Sequence, residues 1–352
     1  MFASSSKRGS GWLIGLLAAV LAAPLVAQSS SSSPSSKSKP DPNATVLGVP
    51  VANAKTAKKL KALDNVALIG HRDVGKGLDF YSQKKEIALG QQMAAQVLKN
   101  SRVITDPVVN EYINRVAQNL VRNSDAKVPF TVHVLQDDTV NAFALPGGFF
   151  FVNSGLILAA HDEDQMAGAM AHEIAHVAAR HGTKNATKAE LMQLLAIPAI
   201  IAAGPGFGGL GAEEAANIAI PAEYEHFSRG DEEEADWLGT QYLWKAGYDP
   251  QGLPQMFEIL EAEQQQRPGL VARFFASHPE TSQRIAVTER EIATILPLRP
   301  AYVITTSDFK MVQARLRAII KSQIEQGVRV PGGLPPAAAE LPKAAGPPII
   351  KH

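Results

Sequence analysis

The stretch Ala-His-Glu-Ile-Ala-His at residues 171–176 decides how this chain is interpreted. Two histidines that are four residues apart lie on the same face of a helix, one turn from each other. At that spacing His172 and His176 can bind one zinc ion, and Glu173 beside them can act as general base for a metal-bound water. The motif therefore predicts a helix that carries two metal ligands and a catalytic carboxylate.

The residues on either side of this motif are mostly apolar and small, from Gln165 to Met170 before it and from Val177 to Ala179 after it. Such flanks predict a buried helix. A buried helix does not carry two histidines and a glutamate unless these groups are paired, because an unpaired charge is costly in apolar surroundings. The alternative, a helix with two surface histidines and a solvated glutamate, fits these flanks poorly.

The bulk composition excludes several classes of protein. Lys plus Arg equals Asp plus Glu at 34 each in 352 residues, and aromatic residues are few, so nucleic acid is not an expected partner. The chain contains no cysteine, which excludes disulfides, cysteine-ligated zinc and a lipid attached to an N-terminal cysteine. Any metal site must therefore be built from His, Asp and Glu.

The N-terminal residues have the composition of an export signal. Lys7 and Arg8 precede an apolar run from Trp12 to Ala27, which is shorter than the ~20 residues of a spanning helix. We therefore expect a signal peptide over residues 1–27, with a retained N-terminal anchor as the alternative. This assignment predicts an exported, periplasmic protein.

Composition also divides the rest of the chain. Residues 28–54 are rich in Ser, Pro and Lys and are expected to form a disordered linker, and the Pro- and Ala-rich residues 329–352 a disordered tail. The folded body, which carries the motif, is then expected over residues 55–328. Within it, residues 191–211 are apolar and then glycine-rich. They are either a buried helix and loop or a lid, a partner site or a peripheral membrane contact.

Hydrophobic periodicity predicts an α+β body that is mostly helical and has a small sheet. Helices are expected over 81–98 and 107–121, the second with Asp106 as N-cap, and a helix capped near Asp162 carries the zinc motif. Short strands are expected over residues 130–135, 141–145 and 149–152.

Two histidines leave zinc one protein ligand short of the three usual in catalytic sites. Residues 231–236 supply an acidic cluster whose neighbours are unlike those of a solvated charge run. Glu232 and Asp236 are one helical turn apart, so one can ligate zinc while the other accepts the ring N–H of a ligand histidine. From the residues alone, the choice between Glu232 and Glu233 as zinc ligand stays open.

Together the two motifs resemble peptidase family 48, the gluzincin metalloproteases that include HtpX-like, BepA-like and CAAX-protease-like members. In that family H-E-x-x-H is joined by S-R-x-x-E-x-x-A-D, and Ser-Arg-Gly-Asp-Glu-Glu-Glu-Ala-Asp at residues 228–236 fits this register. The resemblance implies a zincin-like fold with one zinc ion per chain. It implies Glu232 as the third zinc ligand and Asp236 as the orienting carboxylate.

Two further segments match the family. Asn-Ala-Phe-Ala-Leu-Pro-Gly-Gly at residues 141–148 resembles an edge strand that binds extended peptide by strand addition, which implies substrate contacts at Asn141, Ala142 and Phe143. Ser-His-Pro at residues 277–279, with Arg284, resembles an element that places a histidine near the metal. The resemblance implies a site role for His278, as oxyanion stabiliser or as zinc ligand in a latent form. Arg284 is expected to form an ion pair.

His181 follows the motif by five residues and precedes Gly182. We expect it at the C-terminal end of the motif helix, away from the face that binds metal. No further partner pattern is predicted for it.

The sequence thus predicts an exported zinc endopeptidase that hydrolyses peptide bonds with zinc-activated water. By family analogy its expected partners are polypeptides, in particular misfolded or misassembled envelope or outer-membrane proteins. Nothing in the chain matches the set of membrane-spanning helices of CAAX-type members or the tetratricopeptide repeats of BepA-like members. The alternative function is a chaperone-like or assembly factor whose zinc site is structural or latent.

Overall fold

The computed structural model describes residues 45–202, 227–278 and 282–327. Over these residues the protein is mostly helical, with one three-stranded sheet and one two-stranded ribbon. The strands are β1 (Thr45–Val46), β2 (Val49–Pro50), β3 (Thr131–Leu135), β4 (Ala142–Leu145) and β5 (Phe149–Asn153). The helices are α1 (Ala54–Lys61), α2 (Gln83–Asn100), α3 (Pro107–Arg122), α4 (Ser154–Ala159), α5 (Glu163–Ala178), α6 (His181–Ala202), α7 (Arg229–Lys245), α8 (Gly252–Gln266), α9 (Pro268–Ser277), α10 (Ser282–Thr294) and α11 (Ser307–Glu325). The predicted fold class is confirmed.

The three-stranded sheet has the strand order β3-β5-β4. β3 runs parallel to β5, whereas β4 runs antiparallel to β5 with Phe143 opposite Phe151. The rings of these two residues stack with centroids 4.9 Å apart. In this sheet β4 is an edge strand, and an edge strand presents backbone groups that a further strand can pair with.

Helix α5, which carries the H-E-x-x-H motif, lies in the middle of the core. Nearly all of its residues are buried, and it packs against α3, α7, α8 and β4. At its start the backbone N–H of Asp162 donates to the side-chain oxygen of Gln165 at 3.1 Å, which is one half of a capping box. The helix is therefore held at its N-terminus and buried along its length, so its side chains have fixed positions.

Helix α7 approaches the backbone of α5 closely. Its N-cap is Ser228, whose hydroxyl accepts from the backbone N–H of Asp231 at 3.2 Å. Gly239 faces α5, and a Cβ built on it would lie 3.0 Å from the backbone nitrogen of His172. Because Gly239 has no side chain, the two helices can lie close together, and their other side chains can meet at one point.

The folded body begins earlier than the sequence predicts. Residues 45–54, predicted to belong to the disordered linker, form the β1–β2 ribbon and the start of α1. Val46 and Val51 are buried in the core, and the backbone N–H of Ala52 donates to the Glu233 carboxylate at 2.8 Å. Strands of two residues are too short to produce a periodic pattern, so the sequence does not predict them.

Several predicted segments lie wholly or partly outside the described residues. These are the signal peptide at residues 1–27, the first part of the linker through residue 44, and the tail at residues 329–352. The apolar segment 191–211 is described through residue 202, where it is the second half of α6. None of the helices in the described ranges has both the length and the apolar character needed to cross a membrane.

We predict that Gly239→Val lowers the free energy of unfolding by about 1–3 kcal/mol, because the added methyl groups overpack the α5–α7 contact. Urea denaturation of the metal-free protein measures the effect. Gly269→Val in α9 is the control, since a Cβ at Gly269 meets no atom within 4 Å. Equal stability of the two variants would contradict the close approach of α5 and α7.

Candidate metal centre

Helix α5 presents both motif histidines to the same point. The Nε2 atoms of His172 and His176 lie 3.1 Å apart. The two residues are 1% and 3% exposed. Two imidazole nitrogens repel each other at this distance unless a proton or a cation lies between them, so the pair is suited to bind a metal ion.

Glu232, in the first turn of α7, faces the two histidines. Its Oε1 lies 3.4 Å from His176 Nε2, and its Oε2 lies 3.5 Å from His172 Nε2. Although burial favours the neutral acid, His278 and Arg284 hold the pKa of the Glu232 carboxyl well below its usual range. Glu232 is therefore ionised in the protein interior, which is the form that ligates a cation.

His278, directly after α9, is the fourth group at this point. Its Nδ1 lies 3.0 Å from Glu232 Oε1 and 3.3 Å from His172 Nε2. One ligating atom from each of His172, His176, Glu232 and His278 lies within 4.8 Å of the others. We call these four buried residues the zinc cluster.

The donors of the zinc cluster fit zinc by their chemistry. Two histidines and one glutamate are a ligand set of catalytic zinc sites, and a fourth donor completes a tetrahedron. Glu233 does not belong to the set, because its carboxylate accepts the backbone N–H of Ala52 at 2.8 Å on another side of α7. Of the two glutamates, Glu232 is therefore the one that lies among the groups that could hold a metal ion.

Glu173 lies between the zinc cluster and a cleft. Its Oε1 is 3.3 Å from His278 Nε2, and burial raises the pKa of its carboxyl. The cleft has a volume of about 620 Å³ and is lined by Glu173, His176 and residues of β4. Glu173 can thus reach both the metal position and a molecule bound in the cleft.

Of the three predicted substrate contacts, two line this cleft. They are Asn141 and Phe143. Ala142 is 3% exposed and packs into the hydrophobic core, because successive side chains of a strand point to opposite faces. The Oδ1 atom of Asn141 is buried and has no hydrogen-bond partner among the described residues.

Asp236 and Arg284 support the zinc cluster from outside. Asp236 Oδ1 lies 2.9 Å from His172 Nδ1. Arg284 on α10 donates from Nε to Asp236 Oδ2 at 2.6 Å and pairs with Glu232 Oε2 at 2.9 Å. Burial lowers the pKa of His172, but the Asp236 and Glu232 carboxylates outweigh burial and raise it to about 9. The ion pair expected for Arg284 is present, and it joins both carboxylates.

His181 lies in a different place from the one expected. Helix α5 ends at Ala178, and Arg180, with a φ of 59°, turns the chain so that His181 begins α6. His181 Nδ1 lies 3.0 Å from His176 Nδ1. The prediction for His181 is wrong because Gly182 does not end the motif helix. The chain turns at Arg180 instead.

Phe227 is a further residue at the site, and the sequence does not predict it. Its ring centroid lies 4.0 Å from that of His176, and the ring also lines the cleft. Phe227 precedes the Ser-Arg motif, and no regular pattern in the sequence distinguishes it from other apolar residues.

Fold and site together define a class. A mostly helical body with a small sheet, a buried H-E-x-x-H helix and a glutamate supplied by a second helix is the arrangement of zincin-like metallopeptidases. The chain matches the model of peptidase family M48 over residues 107–292. That match covers more than half of the chain, so the protein belongs to peptidase family M48, and the predicted family and class are confirmed.

Sequence relatives come from bacteria and mitochondria. The beta-barrel assembly-enhancing protease of Escherichia coli K12 is 29% identical over 246 residues, which are 68% of this chain and 49% of that protein. A Vibrio cholerae relative is 34% identical over 66% of this chain and 49% of its own length. The mitochondrial metalloendopeptidase OMA1 of Schizosaccharomyces pombe is 31% identical over 51% of each chain. The chain thus spans about half the length of these relatives.

We predict that Arg284→Met lowers the free energy of unfolding of the metal-free protein by about 3–5 kcal/mol, because Asp236 and Glu232 lose their buried cation. Urea denaturation measures the change. Arg115→Met is the matched control, since Arg115 is 57% exposed and pairs with an exposed Asp308. The control is expected to lose about 0–1 kcal/mol. A similar, small loss in both variants would contradict a supporting role for Arg284.

Proposed function

We propose that this chain is a zinc-dependent endopeptidase of the cell envelope. The observation that carries the proposal is the convergence of His172, His176 and Glu232, with Glu173 beside them at the wall of a cleft. The cleft runs along an edge strand, which is where an extended peptide can add to a sheet. Metal ligands, a general base and a peptide-binding edge therefore lie together.

The ligand residues and Glu173 have separate roles in the reaction. Zinc, when bound, supplies Lewis-acid activation of water and of the scissile carbonyl. Glu173 takes a proton from the attacking water as general base and delivers it to the leaving amine when the C–N bond breaks. Asp236 faces His172 Nδ1 and so keeps Nε2 directed at the metal position.

The substrate is proposed to lie in extended form along β4. Phe143 supplies apolar surface in the cleft, and the buried Oδ1 of Asn141 is an acceptor that a peptide N–H can use. Ala142 contributes its backbone alone, since its side chain is in the core. This arrangement selects for unfolded or unpaired segments, because only these offer free backbone groups.

His278 keeps the resting protein latent in this proposal. As a fourth protein ligand, His278 would take the place that a catalytic zinc site leaves for water. His278 Nδ1 lies 3.0 Å from Glu232 Oε1 and 3.3 Å from His172 Nε2, and its second nitrogen faces Glu173. Hydrolysis therefore requires that His278 moves away from the cluster, and this arrangement favours a latch over an oxyanion-stabilising role.

The biological setting is proposed from the relatives and from the N-terminal sequence. The name of the Escherichia coli relative, beta-barrel assembly-enhancing protease, favours misfolded or misassembled envelope and outer-membrane proteins as substrates. The apolar run at residues 12–27 favours export to the periplasm, and the apolar segment 191–211 is proposed to contact the membrane surface. The balanced charge of the chain does not favour nucleic acid as a partner.

A second function, that of a chaperone-like or assembly factor, is favoured by the same position of His278. A zinc ion with four protein ligands is the arrangement of a structural site. The two functions differ in whether the protein cuts a polypeptide once His278 is removed.

We predict that Glu173→Gln abolishes cleavage of an unfolded protein and leaves one zinc ion bound per chain. The amide cannot accept the proton of the attacking water, and loss of a general base costs about 10²–10⁴-fold in rate. Gel assays with and without a chelator measure cleavage, and elemental analysis measures zinc. Glu111→Gln, on the exposed side of α3, is the control and is expected to cut like the wild type.

We predict that His278→Ala retains zinc and cleaves unfolded protein several-fold faster than the wild type, because water gains access to the fourth position. The Glu173→Gln change is made in this background as well, so that latency does not hide its effect. Loss of cleavage in His278→Ala would indicate the oxyanion role. If the wild type and His278→Ala both bind zinc and neither cleaves the unfolded protein, the result would favour the assembly factor.

A further inference from the structure

His176 has a buried partner on the side away from the zinc cluster. Its Nε2 faces Glu232 and His172, so its Nδ1 points in the opposite direction, where it meets His181 Nδ1 at 3.0 Å. His181 is 1% exposed. Two ring nitrogens at this distance form a hydrogen bond when one carries a proton and the other a lone pair.

The contact continues to a carboxylate. His181 Nε2 lies 3.0 Å from Glu234 Oε2, and the same oxygen pairs with Lys59 of α1. Asp231 Oδ1 is the next acidic atom, at 3.8 Å from the same nitrogen. Glu234 is 1% exposed and projects from α7, the helix that also supplies Glu232. His181 and Glu234 thus lie in series next to His176, on the side opposite the metal position.

Metal binding determines the tautomer of every ring in this chain of contacts. A lone pair on His176 Nε2 is needed for the metal, so its Nδ1 carries the proton. That proton points at His181 Nδ1, which must therefore hold a lone pair. The proton of His181 then lies on Nε2 and is donated to Glu234. Only one arrangement of protons satisfies all three side chains.

We infer that His181 and Glu234 are positioning residues that orient His176 for zinc. The inference rests on the proposed zinc site and extends it. His172 faces the Asp236 carboxylate directly, whereas His176 reaches its carboxylate through a second imidazole. Residues that fix the orientation of a ligand histidine change metal affinity by about 10–100-fold when they are removed.

The turn at Arg180 is what makes this contact geometrically accessible. On an uninterrupted helix, His181 would be rotated by about 140° from His176 and could not face its Nδ1. Arg180 adopts a φ of 59°, which is unfavourable for a residue with a side chain, and begins α6 in a new direction. Its guanidinium holds this turn by donating to Glu86 at 2.8 Å and to the Tyr81 carbonyl at 2.6 Å. The strained backbone of Arg180 thus places His181 against His176.

Zinc affinity of the full chain, measured by competition with a chelator of known affinity, tests the inference. His181→Phe keeps an aromatic ring without nitrogens, and Glu234→Gln keeps the shape without the charge. Each is expected to weaken zinc binding by about 10–100-fold. His133→Phe and Glu258→Gln are the controls, since His133 stacks on Phe151 in the sheet and Glu258 is exposed on α8. Both controls are expected to bind zinc within about twofold of the wild type.

The double variant His181→Phe/Glu234→Gln tests whether Glu234 acts on His176 through His181 or independently of it. Because Glu234 acts through His181, the double variant is expected to bind zinc no more weakly than His181→Phe alone. Multiplication of the two losses would overturn the inference. Reduced stability in urea with zinc affinity within twofold of the wild type, in either single variant, would also overturn it, because that result shows a structural role alone.

The wild-type measurement distinguishes this inference from the proposed function. A wild-type chain that binds no zinc overturns the proposed function, and the orienting role falls with it. A wild-type chain that binds one zinc ion, together with unaffected His181 and Glu234 variants, overturns the orienting role and leaves the proposed function intact.

Discussion

The buried carboxylate of Glu232 is the group on which the rest of the structure depends. An ionised carboxylate loses several kcal/mol of solvation when it enters a protein interior, and only close partners of opposite charge or a metal ion restore that loss. Arg284 supplies a fixed cation at 2.9 Å, and three imidazoles face the remaining space. The surroundings of Glu232 therefore have to be assembled completely, since any missing partner leaves a buried charge.

This requirement explains why distant parts of the chain meet at one place. Helix α5 supplies two histidines of the cluster and α7 supplies Glu232. Gly239 lets the two backbones approach closely enough for these side chains to converge. Helix α10 supplies Arg284 and the segment after α9 supplies His278. Three other segments of the chain thus contribute partners to one buried carboxylate.

Most of the site could be predicted from sequence, because its parts follow local rules. The spacing of His172 and His176 requires only a helix, and the family register selected Glu232, which the structure places in the cluster. The α+β fold with its small sheet could likewise be predicted from the periodicity of hydrophobic residues. Two features could not be predicted from the sequence, because they depend on tertiary contacts. The β1–β2 ribbon has too few residues for a pattern, and the place of His181 depends on the left-handed turn at Arg180.

The zinc content of Glu232→Gln, compared with that of Glu233→Gln, is the sharpest test of this metal centre. The two glutamates are neighbours on α7, but one faces the histidines and the other accepts the backbone N–H of Ala52. Each protein is loaded with zinc and the excess is removed. Native mass spectrometry then measures the number of zinc ions bound per chain. We predict one zinc ion per chain in the wild type and in Glu233→Gln, and none retained in Glu232→Gln. Equal retention of zinc by both variants would contradict a metal centre built between α5 and α7.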